Sequence, residues 1–200
     1  MNTLLRPNVT IFTEASPNPN SMKFVLNLEL VPDGLSFDYA TPGEALLEGK
    51  NSPLAVALFG FESVQRVFIA KNFVTITKDD VTDWGEIIFE AKQFLKQYFE
   101  EQKPVFAQRT IDANTTKVEA DSETVQQIKA VLDQYVRPAV ESDGGAINFH
   151  SFDETSGVVK VLLQGSCSGC PSSTLTLKAG IENLLTRLVP AVKQVEAEGV

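Results

Sequence analysis

The sequence predicts an α+β fold made of two small domains. Short runs rich in β-branched and apolar residues, separated by turn residues, fill much of residues 8–77, as expected for strands, and a helical periodicity follows them. Residues 122–200 then show the order helix, strand, strand, helix, strand. Residues 103–121 lack periodicity and are polar, which is typical of a linker. The predicted domains are therefore residues 1–102 and 122–200.

The first domain opens with strand-like segments. Asn8–Glu14 and Met22–Leu30 flank a turn-prone segment that is rich in serine, proline and asparagine. Leu35–Tyr39 is a short strand candidate. Val64–Ala70 and Phe73–Thr77 contain alternating apolar residues and are separated by only two residues, which predicts a hairpin.

Two helices are predicted in this domain. Pro53–Phe59 is a short helix, with Ser52 as its N-cap and proline at its first position. From Thr82 to about Gln102, apolar residues recur every three or four positions, so this helix should cover one face of the sheet. Its predicted buried stripe consists of Trp84, Ile87, Ile88, Ala91, Phe94, Leu95, Tyr98 and Phe99.

The second domain begins with a helix that Asp121 or Ser122 caps and that Pro138 strains or ends. Its predicted stripe is Val125, Ile128, Val131, Leu132, Tyr135, Val136 and Val140. Asp143-Gly144-Gly145 supplies positive-φ positions that reverse the chain.

Two strands follow this turn, Ile147–Phe152 and Val158–Gln164. The next helix, Ser172–Leu188, is predicted to have Leu175, Ala179, Leu184, Leu185 and Leu188 as its apolar residues. A weak strand, Val192–Ala197, completes an α-β-β-α-β unit.

Composition and charge exclude several classes of protein. Of the 200 residues, 43% are hydrophobic and 22% are charged, which supports an ordinary core. The net charge is −9 and basic residues do not cluster, so we expect protein partners and no nucleic acid. Apolar runs such as Leu54–Phe61 are shorter than the roughly 18 residues of a membrane span, so no membrane partner is expected. The N-terminal residues show no targeting pattern, which predicts a cytoplasmic protein of bacterial type.

The chain contains two cysteines, Cys167 and Cys170, in the segment Gly165–Ser173 between a predicted strand and a predicted helix. Two intervening residues let both sulfurs turn to one side and bind one soft metal centre, and Gly165 and Gly169 permit the tight backbone. The N-terminus of the following helix favours thiolates. A single C-x-x-C is compatible with a redox pair, half a metal site or no shared chemistry.

The number of ligands bears on this choice. Iron–sulfur clusters and structural zinc sites take about four protein ligands, whereas this chain offers two thiolates. A two-fold dimer that brings two such loops together would supply four thiolates to one [4Fe–4S] cluster. The redox alternative is disfavoured, because a thioredoxin-like domain has its cysteine pair after an early strand with more sheet behind it.

Several segments resemble a known family. In the second half they are Asp143-Gly144-Gly145, the cysteine loop Gly165–Ser173 and Leu177–Asn183, which resemble the C-terminal domain of NifU-type proteins over about Val125 to Val195. In the first half, Glu14–Phe24 and Asp83-Trp84 resemble the N-terminal domain of Nfu proteins. Ala146 departs from the acidic residue that the family pattern has after Asp-Gly-Gly.

The resemblance implies an Nfu-type iron–sulfur cluster carrier rather than an enzyme. It implies that Cys167 and Cys170 ligate the cluster, that the cluster bridges a homodimer, and that apo client proteins receive it. Upstream cluster-assembly proteins would be the other partners, and [4Fe–4S] is favoured over [2Fe–2S]. The alternatives are a module that clamps one zinc ion and a dithiol oxidoreductase.

Other candidate residues have simpler interpretations. His150 alternates with Ile147 and Phe149 along a strand, so we expect a solvated residue rather than a third ligand. The acidic residues are scattered, with no pair spaced for acid–base catalysis. Trp84 with Phe89, Phe94, Tyr98 and Phe99 would form a docking patch in one interpretation, but helical spacing favours the core for Phe94 and Phe99.

Overall fold

The computed structural model describes residues 8–107, 121–168 and 171–199, with backbone only for residues 171–174. The chain divides into two compact units, each with its own sheet and its own apolar core. Both units combine helices with a small sheet, so the predicted α+β fold class is confirmed. Within the described residues, no helix has the length and apolar character needed to span a bilayer.

The first unit is built on a five-stranded antiparallel sheet. Its strands are β1 (Ile11–Ala15), β2 (Ser21–Leu26), β3 (Phe37–Tyr39), β4 (Val64–Ala70) and β5 (Phe73–Lys78). They lie in the order β1-β2-β5-β4-β3. The predicted hairpin is confirmed: β4 and β5 pair from Ala70 and Phe73 outward.

Two helices complete this unit, α1 (Pro53–Leu58) and α2 (Trp84–Glu100). The Ser52 side chain accepts a hydrogen bond from the Ala55 amide at 3.1 Å, which confirms the predicted cap of α1. Asp83 caps α2 by accepting from the Gly85 amide at 2.7 Å. The second half of the predicted α2 stripe is buried in the core together with the sheet, and Trp84 packs against that core with a more exposed side chain.

Residues 103–107, predicted to begin a solvated linker, instead pack on the first unit. The Phe106 ring is buried, and its centroid lies 4.4 Å from that of Phe37. The Ser52 hydroxyl donates to the Val105 carbonyl at 2.7 Å. Val105 and Phe106 are too few apolar residues to show a periodicity, so the sequence pattern did not predict this contact. The rest of the predicted linker lies largely outside the described residues.

The second unit has the predicted order α-β-β-α-β. Its elements are α3 (Glu123–Val131), a π-helical turn (Leu132–Val136), α4 (Arg137–Ser142), β6 (Gly145–Asp153), β7 (Val158–Gly165), α5 (Pro171–Leu188) and β8 (Gln194–Gly199). β6 and β7 form an antiparallel hairpin, whereas β7 and β8 are parallel. Parallel neighbours need a crossover connection, and α5 supplies it.

The first helical segment of this unit differs from the prediction, because the helix does not end at Pro138. It widens into the π-helical turn Leu132–Val136 and continues as α4. Proline lacks an amide hydrogen and crowds the carbonyl four residues earlier, and a wider turn accommodates both effects. Tyr135, predicted to be in the buried stripe, is exposed. The buried residues recur every four positions: Ile128, Leu132, Val136 and Val140.

The residues that supply much of the apolar content of α5 do not all pack in the core. Leu175 is 70% exposed, and Ala179 and Leu188 are exposed as well. The buried face is formed by Ile181 and Leu185, and Val189, the residue after the helix, is buried as well. This helix has apolar residues on more than one side, so periodicity alone could not decide which side packs on the sheet.

Candidate functional site

Cys167 lies in a tight turn at the end of β7. Gly165 has a φ of 67°, a left-handed conformation that turns the chain out of the strand. The Ser168 amide then donates to the Gly165 carbonyl at 3.0 Å, which closes a four-residue turn with Cys167 at its third position. Cys170 lies outside the described residues, and α5 begins at the next residue, Pro171.

The Cys167 side chain is buried in the core of the second unit. It is 6% exposed and belongs to the same apolar cluster as Ile147 and Leu163. It also lies against Gly145: a Cβ atom added to Gly145 would stand 3.0 Å from Cys167 Sγ and 2.6 Å from the Gln164 carbonyl oxygen. The candidate ligand is thus fixed by packing.

The prediction that the Asp143-Gly144-Gly145 turn supplies positive φ angles holds for one glycine. Gly144 has a φ of 83°, whereas Gly145 is already the first residue of β6 and does not have a positive φ. The need for glycine at position 145 is steric, since the Cβ of any other residue would overlap the cysteine turn. The two glycines of this turn therefore serve different purposes.

Ser166 ties the cysteine turn to the end of α4. Its hydroxyl donates to the Asp143 carbonyl at 2.6 Å, and its amide donates to the Gly144 carbonyl at 3.3 Å. The side chain is buried, and its oxygen lies 3.9 Å from Cys167 Sγ. Two hydrogen bonds from one residue hold the turn in a single orientation.

His150 lies at an irregularity of β6, where the register with β7 shifts between Phe149 and Ser151. Its ring is exposed, as predicted, and Nδ1 lies 3.3 Å from the Ser151 hydroxyl. Among the residues that the structure describes, no three His, Cys, Asp or Glu side chains gather as a metal site would require. His150 therefore gives no support to a third ligand.

The perturbed ionisable groups of this unit lie at the far end of the hairpin. Hydrogen bonds from Ser156 and Thr155 lower the pKa of Asp153, and pairing with Glu196 raises the pKa of Lys160. Asp153 lies next to the β6–β7 connection. Lys160 lies on β7, opposite Glu196 of β8. Their interactions lie at the β6–β7 connection and between β7 and β8, and not at the cysteine turn.

The aromatic residues of α2 divide between core and surface. Tyr98 and Phe99 are buried, and Phe94 packs edge-on against Phe61 with ring centroids 5.4 Å apart. The core interpretation is thus confirmed for Phe94 and Phe99. Phe89 is 74% exposed, so a docking patch at this helix would have to centre on it.

Sequence reasoning did not assign roles at the site to Gly145 and Ser166. Part of the signal was present in the hairpin, because antiparallel register carried from the β6–β7 connection places Gly145 within one residue of Gly165, and the bulge between Phe149 and Ser151 completes the pairing. The residue that starts β6 therefore lies beside the cysteine turn. The contact with Cys167 itself depends on how the turn folds back, which spacing alone does not show.

Comparisons with known proteins match both halves of the chain. The NifU-like domain family matches residues 128–196, and the N-terminal domain family of the Nfu/NifU scaffold proteins matches residues 11–102. The solution NMR structure of a NifU-like protein from Saccharomyces cerevisiae is 28% identical, with a TM-score of 0.44, and the alignment covers 54% of this chain and 91% of that one.

Curated relatives align over nearly the whole chain. The mitochondrial NFU1 iron–sulfur cluster scaffold homolog of Drosophila willistoni is 41% identical over 93% of this chain and 62% of its own length. The mitochondrial NifU-like protein 4 of Arabidopsis thaliana is 40% identical over 96% of this chain and 67% of its own length. The chain thus spans about two thirds of the length of these relatives.

These relatives overturn one prediction. The N-terminal residues predicted a cytoplasmic protein, but the relatives carry names that place them in mitochondria, so that prediction is wrong. The physical reason is that a compartment is set by an address that a receptor reads, not by the packing or charge of the folded domains.

The two family matches together cover most of this chain, and the N-terminal domain precedes the NifU-like domain. Identities of about 40% extend across both halves. The chain therefore belongs to the NifU-like, Nfu-type family of iron–sulfur cluster scaffold proteins.

Proposed function

We propose that this chain holds an iron–sulfur cluster as cargo on Cys167 and Cys170 and delivers it to apo-proteins. The observation that carries the proposal is the setting of Cys167, which packing and hydrogen bonds fix in a turn at the end of β7. Cys170 follows three residues later, immediately before α5. Two cysteines so placed form one half of a site for a soft metal centre.

The number of thiolates favours a shared cluster. Each chain has two cysteines, whereas a cluster is usually held by four. A homodimer in which two C-x-x-C loops face each other supplies four equivalent ligands, and isologous dimers are the commonest oligomers. We therefore propose a [4Fe–4S] cluster at the homodimer interface, since four thiolates match its four irons.

The two halves of the chain would have different roles. We propose that residues 122–200 form the cluster-binding domain and residues 1–102 a domain that recognises partners, with residues 103–121 joining them. The name of the Drosophila willistoni relative, an iron–sulfur cluster scaffold homolog, supports the scaffold role. We propose upstream cluster-assembly proteins as donors and apo-proteins as clients. By the same relatives, the compartment we propose is the mitochondrion.

Transfer would proceed by ligand exchange. A client thiol loses its proton and its thiolate forms a bond to a cluster iron, while the bond from that iron to Cys167 or Cys170 breaks and the released thiolate takes up a proton. No electron is gained or lost in this step. Two ligands per chain mean that few bonds must break before the cargo leaves.

Anaerobic reconstitution with iron and sulfide tests the proposal. We expect visible absorbance, about four irons per dimer and a dimeric elution volume. Cys167→Ser and Cys170→Ser should each prevent assembly, because a hydroxyl is a poor ligand for a soft iron site. A colourless monomer after reconstitution would contradict the proposal.

The same measurements separate the alternatives. A colourless dimer that holds one zinc ion would indicate a zinc clamp, because zinc has no visible absorbance. Turnover in a disulfide-reduction assay, with a Cys167–Cys170 bridge after oxidation, would indicate a dithiol oxidoreductase. Either result would replace the carrier function.

A further inference from the structure

We propose that Gly145 and Ser166 are positioning residues for Cys167, Gly145 by leaving room for its sulfur and Ser166 by anchoring the turn. This inference rests on the proposed function, in which Cys167 is a cluster ligand. It concerns the backbone of the helix–strand turn, Asp143–Gly145, which forms the surface against which the cysteine turn packs.

The end of the β6–β7 hairpin is built from glycines. Gly145 and Gly165 are cross-strand partners at the last pair of the ladder. Gly144 precedes this pair and Gly165 closes it, and both adopt left-handed φ values, 83° and 67°. The chain therefore turns sharply on both strands at the same end of the hairpin, which brings the two turns into contact.

The Gly145 contact limits where the sulfur can be. A Cβ on residue 145 would lie 3.0 Å from Sγ and 3.5 Å from Cβ of Cys167. It would also lie 2.6 Å from the Gln164 carbonyl oxygen, a main-chain atom of β7 that cannot rotate away. Any larger residue must therefore move the strand end or the cysteine. Metal ligands tolerate displacements of only about 0.5 Å before the site loosens.

Ser166 supplies the second constraint. Its hydroxyl bond to the Asp143 carbonyl and its amide bond to the Gly144 carbonyl join the turn to the residues that lead into β6. Among the described residues of this unit, the buried polar side chains are Ser166 and Ser168, the two neighbours of Cys167. Burying a hydroxyl without a hydrogen-bond partner is unfavourable. The buried Ser166 hydroxyl therefore depends on its bond to the Asp143 carbonyl, and this bond constrains the turn.

The decisive variant is Gly145→Ala in the full-length protein, compared with Gly180→Ala. Gly180 lies in α5, and a Cβ added there meets no atom within 4 Å, so the control adds the same methyl group to the same unit. Both variants are reconstituted, and the loss of visible absorbance to an iron chelator is timed. We expect Gly145→Ala to lose its cluster roughly tenfold faster than wild type, as when the support of a metal ligand is removed. Gly180→Ala should match wild type.

A second readout follows the sulfur without any cluster. Cys170→Ser leaves Cys167 as the only thiol of the chain, and its alkylation by iodoacetamide is followed by mass spectrometry. We expect slow alkylation of the buried thiol and a several-fold faster reaction when Gly145→Ala is added. A purely structural role for Gly145 at the strand end would lower thermal stability without changing the alkylation rate of the folded protein.

Ser166→Ala covers the case in which Gly145→Ala does not fold, because it removes a hydroxyl and adds no atoms. It should also accelerate cluster loss and alkylation, by a smaller factor. If wild type binds a cluster and both variants retain it as long as Gly180→Ala does, the positioning role is wrong while the carrier function stands. If wild type binds no cluster, the carrier function fails, and unchanged alkylation of Cys167 in the variants would then overturn the positioning role separately.

Discussion

The two units bury their polar side chains in different ways. In the first unit, buried polar side chains are spread over the sheet, and two of them form ion pairs with more exposed partners: Asp38 binds Arg66, and Lys23 binds Glu14. In the described part of the second unit, they are confined to Ser166 and Ser168, beside Cys167. The first pattern joins strands, whereas the second holds one loop.

The two units therefore differ in what a substitution is expected to change: stability in the first unit, and the geometry around Cys167 in the second. Losing one partner of a buried ion pair between strands lowers the free energy of unfolding, because the other charge is left without compensation. A buried serine that binds a main-chain carbonyl fixes the direction of its neighbours instead. We therefore expect substitutions in the first unit to change stability most and substitutions around Cys167 to change cargo binding most.

The largest expected effect is the loss of cargo in Cys167→Ala. We expect iron per chain to fall to background after reconstitution, because the proposed dimer would lose two of its four ligands. The free energy of unfolding should change by only about 1 kcal/mol, since the methyl side chain keeps the apolar contacts except those of one atom. Iron analysis and far-UV circular dichroism during urea unfolding check both parts. Loss of the folded structure in Cys167→Ala would contradict the expectation that substitutions around Cys167 change cargo binding more than stability.

The reverse effect is expected for Asp38→Asn in the first unit. The Asp38 side chain is 4% exposed and accepts hydrogen bonds from Arg66 at 2.7 and 3.2 Å. Removing the charge of Asp38 leaves the Arg66 guanidinium, whose side chain is only 16% exposed, without its carboxylate, which costs up to about 3 kcal/mol. Fluorescence of Trp84, the single tryptophan, follows unfolding of the first unit in urea. Iron per folded chain should not change.

Asp33→Asn is the matched control. Asp33 pairs with Lys71 at 3.1 Å, but its side chain is 73% exposed, so solvent screens the pair. Its loss should cost at most about 1 kcal/mol. Equal destabilisation by the two substitutions would show that burial does not set the contribution of these pairs.

A smaller effect distinguishes the helix caps of the two units. Ser52 is buried, and it both accepts from the Ala55 amide and donates to the Val105 carbonyl. Ser122 caps α3 in solvent with a single bond of 3.4 Å to the Val125 amide. We expect Ser52→Ala to cost about 2 kcal/mol and Ser122→Ala about 0.5 kcal/mol. Urea unfolding followed by circular dichroism checks the difference, and a reversed order would contradict it.

The smallest expected effect is a loss of stability of the first unit at alkaline pH. Burial raises the pKa of Tyr39 far above its usual range, and desolvation also raises the pKa of Tyr98. Both phenols hold their protons more tightly in the folded chain. The resulting stabilisation is fully present below the unfolded-state pKa of about 10 and is lost as pH rises toward the folded-state value.

The measurement is the urea midpoint of Trp84 fluorescence as a function of pH. We expect it to fall above about pH 10, and Tyr39→Phe should reduce this slope while removing the hydrogen bond to the Lys50 carbonyl. An unaltered slope in Tyr39→Phe would assign the alkaline loss to other groups.

Local sequence signals predicted the kinds and the order of the elements. Ser52 before Pro53 predicted a capped helix, and the two-residue separation of Val64–Ala70 from the next strand predicted the central hairpin. These features depend on atoms a few residues apart, so the sequence contains all the information they need. Gly165 was predicted to permit a tight backbone, and it adopts a left-handed φ of 67°.

Three-dimensional packing decided which faces are buried and which residues meet. Leu175 and Ile181 are both apolar residues of α5, yet only Ile181 packs in the core, because the sheet contacts one side of the helix. Tyr135 turned outward because the π-helical turn before Pro138 changed the rotation of the helix. Neither outcome follows from a fixed helical period.

The cysteine site combines both kinds of information. The sequence by itself determined that two cysteines, two residues apart, stand between a strand and a helix, which limits their chemistry to a few classes. Only the tertiary structure decided that Gly145 lies against Cys167 and that Ser166 binds the Asp143 carbonyl. These residues are about twenty positions apart in the chain, and the register of an entire hairpin must form before they meet.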